Sequence, residues 1–169
     1  MSTFEDHPTS ESSPAVAKTL NPLRVITLAL FLGAVSVLGL GFFLSGEDMT
    51  NEPDIISYVG LGSGAFLFLL HLVIPNLIVK TSLSKQQGSL QDADPEAAYY
   101  AIGQVFSIQH IFGTAMLEGA AMFNSICFLL HSFIGNAIFA GMMAIVIAFR
   151  LATLSGAPRW IDEKYQQMS

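Results

Sequence analysis

The stretch Ile108-Gln-His-Ile-Phe-Gly-Thr-Ala-Met-Leu-Glu118-Gly-Ala-Ala-Met-Phe-Asn-Ser-Ile-Cys-Phe-Leu-Leu130 decides the fold class. It is long enough to cross the hydrocarbon core of a bilayer, which takes about 20 predominantly apolar residues. Its single formal charge, Glu118, is also the only one between Glu96 and Arg150. Placing an ionised carboxylate at bilayer depth costs about 2.5–3.5 kcal/mol or more, so a residue kept there marks a functional site by default.

Three further segments have the same character. With the first they give spans at about 24–45, 55–79, 104–130 and 133–154, the last passing Arg150 if its side chain snorkels to the interface. The chain is 52% hydrophobic and 12% charged, a composition of integral membrane proteins. The expected fold is therefore all-α, four transmembrane helices in an antiparallel bundle occupying residues 21–157. Residues 1–20, rich in Ser, Thr, Pro and acid, are expected to be a disordered cytoplasmic tail, and 158–169 a cytoplasmic C-terminal tail with Trp160 at headgroup level. The first span is expected to be retained rather than cleaved, because it is longer than a typical h-region and lacks a convincing A-x-A cleavage site.

All seven basic residues fall on one side of these spans: Lys18 and Arg24, Lys80 and Lys85, then Arg150, Arg159 and Lys164. The first inter-span loop carries Glu47, Asp48, Glu52 and Asp54 instead. The positive-inside rule then puts both termini and the middle loop in the cytoplasm, in a plasma (inner) membrane. Within the middle loop Gln86-Gln87-Gly88 reads as a flexible turn. Asp94-Pro95-Glu96 reads as a helix start, with a capping residue, proline at the first position and an acid in the first turn.

On the third span Gln104, Ser107, Thr114, Glu118 and Ser125 fall within about 40° of a common direction at 100° per residue. Intramembrane polar groups face the bundle interior or a water-filled cavity, so the stripe is expected to point inward. Hydrogen-bond glue between helices, worth about 0.6 kcal/mol per group, explains the Ser and Thr. It explains the carboxylate poorly, since Gln would serve equally. His110 flanks the stripe, and His71 lies in the second span with Pro75 one turn on, where a kink is expected. A Glu118–His71–His110 series is a candidate proton path. Gly60, Gly62, Gly64 and Gly119 are candidate close-approach positions for neighbouring helices.

Gly60-Leu-Gly62-Ser-Gly64, a polar loop, then a mid-span acid followed by Gly119-Ala-Ala together resemble the hairpin of the proteolipid c subunit of rotary ATP synthases. The resemblance covers the second and third spans. It implies a proton- or ion-coupling subunit with Glu118 as the exchanging group, working as a homo-oligomer or within a larger membrane assembly. The alternative of a different class is a non-catalytic structural or accessory subunit, whose polar stripe only fixes helix packing. An enzyme is not expected, because no nucleotide loop, zinc-hydrolase spacing or nucleophile–base pair is present. No cofactor or metal is expected, Cys127 being alone, and the net charge of −6 without a basic cluster does not suit nucleic acid. The lipid bilayer is an expected neighbour in either reading.

Overall fold

The computed structural model describes residues 14–45, 49–91 and 93–168. They form five helices: α1 (Pro14–Ser45), α2 (Ile55–Gln91), α3 (Pro95–His131), α4 (Ile134–Thr153) and, after a 3-10 turn at Leu154–Gly156, α5 (Ala157–Met168). The first four helical stretches are long and apolar enough to cross a membrane. α1, α2 and α3 each contain an expected span and exceed it, whereas α4 stops one residue short of the expected 133–154 at either end. At 1.5 Å per residue the 37-residue α2 and α3 are about 55 Å long, well beyond a hydrocarbon core of about 30 Å.

The surplus length explains three departures from the sequence reading. Residues 14–20 of the expected tail are helical, opening on Pro14, while residues 1–13 lie outside the described residues. The expected turn at Gln86-Gln87-Gly88 is continuous helix, and the connection is confined to residues next to Asp94. The expected C-terminal tail is helical and packed as α5: Ile161 is fully buried, and Trp160 lies against the Phe106 ring at 5.2 Å. At this end Val16, Leu20, Leu23, Tyr99, Ile102 and Leu154 close an apolar cluster with α5. Such a cluster follows from helices that outrun the bilayer, because their projecting apolar turns must be covered by protein.

α3 is the central helix. Half of its most apolar window is buried (50%), against 11% for α2, and it touches α1, α2, α4 and α5. It starts where expected, at Pro95, and runs unbroken through Gly103 to His131. The Asp94 side chain makes no capping bond. Its carbonyl accepts the Ala98 N–H at 3.0 Å instead. α3 stops at Ser132, whose left-handed φ of 55° turns its N–H back onto the Phe128 carbonyl.

At that far end the two short connections clasp each other. Thr50 donates its N–H to the Ser132 carbonyl at 3.0 Å and accepts from the Ile134 N–H at 3.2 Å. Asp54 caps α2, its Oδ1 accepting from the Ser57 N–H at 2.8 Å and the Ser57 hydroxyl at 3.0 Å, while Oδ2 lies 3.4 Å from His131 Nδ1. These hydrogen bonds, the Ser57 N–H foremost, hold the Asp54 carboxyl below the ordinary aspartate range. A carboxyl whose folded pKa is lowered contributes stability above its unfolded pKa and loses it as pH falls through the folded one. The difference in unfolding midpoint between wild type and Asp54→Ala is thus expected to be constant near neutrality and to shrink in strong acid. A difference that grows in acid would contradict this role for the cap.

Candidate functional site

The α3 stripe does not face the bundle centre as a unit. It lies along the seam with α1, and its members differ in environment. Gln104 is exposed and Ser107 is half-buried beside a cleft of about 180 Å³ that also takes in Lys18, Thr19 and Ile26 of α1. Thr114 and Ser125 are fully buried, but their hydroxyls donate back along α3, to the His110 carbonyl at 2.8 Å and the Ala121 carbonyl at 2.9 Å. They are therefore satisfied within their own helix and join no neighbour through these bonds.

Glu118 is half-buried, and its Oε1 sits over Gly33 of α1, where a Cβ would be 3.0 Å away. Gly33 is what lets α1 approach the carboxyl. Among the described residues Glu118 has neither hydrogen bond nor ion pair, whereas Thr27, His71, His110, Thr114, Asn124 and Ser125 each have a partner.

The histidines are placed apart from it. Thr27 donates its hydroxyl to the Leu23 carbonyl at 2.8 Å, which leaves its oxygen to accept from His110 Nε2–H at 3.1 Å. His71 Nδ1 is 2.9 Å from the Gly113 carbonyl, a group that only accepts, so Nδ1 carries the proton and donates. Arg150 Nη1, which only donates, is 3.1 Å from that same Nδ1 and 3.5 Å from Nε2. With Nδ1–H given to the Gly113 carbonyl, the ring's remaining lone pair is on Nε2, 3.5 Å from Arg150 Nη1 and at the outer limit of a hydrogen bond. No hydrogen bond links Glu118, His71 and His110 into the series the sequence suggested.

Arg150 is the main correction. Its guanidinium does not run out to the surface; it turns inward over Gly113, with Cζ 3.0 Å and Nη2 3.1 Å from where a Cβ would stand. The reach of the arginine stem allows either direction, and the missing side chain at Gly113 provides the inward space.

Sequence reasoning also passed over a buried amide pair. Asn136 of α4 donates to Asn124 Oδ1 at 3.0 Å, and Asn124 donates to the Ala120 carbonyl at 2.9 Å. Both asparagines are completely buried. They stand against α2, where Gly60 faces Asn136 and Cys127, and Gly64 faces Asn124 and Phe139. The signal was the G-x-x-x-G spacing within the glycine run, which puts Gly60 and Gly64 on one face about 40° apart. Gly62, on the opposite face, has nothing within 4 Å of a Cβ, so it is not a packing position in this chain. Gly119 has an ordinary contact with Leu67 at 3.7 Å. Among the described residues no group of His, Cys, Asp and Glu could hold a metal ion.

Compared with protein-family models, curated proteins and solved structures, the chain matches none.

Proposed function

We propose that this protein is a proton- or ion-coupling membrane subunit in which Glu118 is the exchanging group. The observation that carries the reading is the state of that side chain: an acid in the middle of an apolar helix, with no hydrogen-bond or ionic partner among the described residues. A carboxyl retained for packing would be expected to have a partner, as Thr114, Ser125, His71 and His110 do, although the Ser107 hydroxyl on the same helix has none among the described residues. An unpartnered, half-accessible acid is suited to taking and releasing a proton or cation as water, an ion or a second subunit reaches it. The resemblance in sequence of the second and third spans to a rotary proteolipid is in keeping with the same reading. In it, the four long helices form an antiparallel bundle in the plasma (inner) membrane with both termini cytoplasmic, acting as a homo-oligomer or within a larger assembly.

Labelling with a hydrophobic carbodiimide, which reacts with protonated carboxyls in membranes, tests the site. The adduct is expected on Glu118 and is expected to vanish in Glu118→Gln. Membranes in which Glu118 stays unmodified while other carboxyls react would overturn the proposal.

Topology is tested separately. In a Cys127→Ser background, Ser84→Cys and Gln166→Cys are expected to be labelled only from the cytoplasmic side and Asn51→Cys only from outside, all three positions being exposed. External labelling at position 84 would invert the assignment.

A further inference from the structure

Among the described residues the guanidinium of Arg150 has no counter-charge. Its polar contacts are with the ring nitrogens of His71, a group that carries no negative charge. The acids of α5 are engaged elsewhere, Glu163 with Arg159 at 3.1 Å and Asp162 with the Tyr99 hydroxyl. A half-buried cation is unfavourable unless something supplies the negative charge. Beside it lies a cleft of about 250 Å³, lined by Phe106, His110, Arg150, Thr153 and Trp160 among others. That is several times the ~30 Å³ share of one water, so the space suits a larger group. Arg150 is three residues from the end of α4 at Thr153, close to where a spanning helix leaves the hydrocarbon.

We propose that this cleft binds a phosphate group. The planar fork of Arg150 matches phosphate oxygens in geometry and charge. Phe106 and Trp160, whose rings pack on each other with centroids 5.2 Å apart, give the cleft an aromatic side that suits an apolar body attached to that phosphate. The site is built from α3, α4 and α5 and stands independently of the role given to Glu118. The phosphate can belong to a lipid headgroup or to a soluble compound, and the test separates the two.

Trp160 is the only tryptophan in the chain, so its fluorescence reports on this cleft alone. The full-length protein in uncharged detergent is titrated with phosphatidylglycerol, with diacylglycerol as the phosphate-free control, and with inorganic phosphate. A saturable change with phosphatidylglycerol and none with diacylglycerol is expected. Its apparent affinity should fall at least tenfold in Arg150→Gln and stay unchanged in Arg159→Gln. The same response to inorganic phosphate would show that the phosphate group suffices, whereas a response confined to the lipid would identify a headgroup site. No saturable response to either ligand, or equal affinity in Arg150→Gln, would overturn the proposal. Should Arg150→Gln fail to fold by circular dichroism, Arg150→Lys keeps the charge and removes the fork. It is expected to bind severalfold more weakly, and wild-type affinity in that variant would equally overturn the site.

Discussion

Glu118→Leu is expected to fold and assemble like the wild type, with an unfolding midpoint at or above it, while losing ion exchange across the membrane altogether. Both halves follow from the same geometry. Glu118 has no partner to lose among the described residues, so removing the carboxyl leaves no buried group unsatisfied. Replacing an acid at bilayer depth by an apolar side chain also removes a desolvation cost of about 2.5–3.5 kcal/mol for the ionised form. Glu118→Gln keeps the shape and hydrogen-bonding capacity without the ionisable group, so it should be equally stable and equally inactive, down by a factor of about 10² or more if proton transfer is lost. Proton uptake by vesicles, measured beside thermal unfolding in detergent, checks both halves. If Glu118→Leu unfolds the protein, the carboxyl is structural. A fully active Glu118→Gln would remove the exchange role.

The second large effect is expected at Gly64. A Cβ there would lie 2.6 Å from Phe139 Cε1 and collide with the Asn124 amide, both on helices packed against α2. Gly64→Ala is expected to destabilise the folded state by about 1–3 kcal/mol, the range for overpacking a filled interior, and Gly64→Val by more. Gly60→Ala, facing Asn136 and with Cys127 Sγ at 2.8 Å, should behave alike. Gly62→Ala meets nothing and is expected to change stability by no more than about 0.5 kcal/mol. Unfolding midpoints of the three alanine variants in one detergent decide the matter. Three equal midpoints would mean that the G-x-x-x-G face does not set the approach of α2 to α3 and α4. An Asn124→Ala, Gly64→Ala double variant should lose less than the sum of the two single variants, because the amide that blocks the added methyl is gone.

The sequence by itself determined the features that are local and additive along the chain. Apolar length is a sum over neighbours, so the four long helices were readable without any knowledge of packing. The start of α3 at Pro95 was readable for a similar reason, since proline lacks only an N–H that the first helical turn leaves unpaired. The helical period also placed Glu118, Thr114 and Ser125 on one stripe, but Gly62, read as a close-approach position with Gly60 and Gly64, meets no neighbour. What it left open was which neighbour each face would meet. That depends on the rotation and depth of one helix against another, set jointly by side chains distant in sequence. Gly113 opens the space into which Arg150 turns, Gly33 receives Glu118, and Gly60 and Gly64 receive an amide pair from two other helices. Each pairs an absent side chain with a long or polar one far away in the chain. No composition window contains both members, and only the packed helices bring them together.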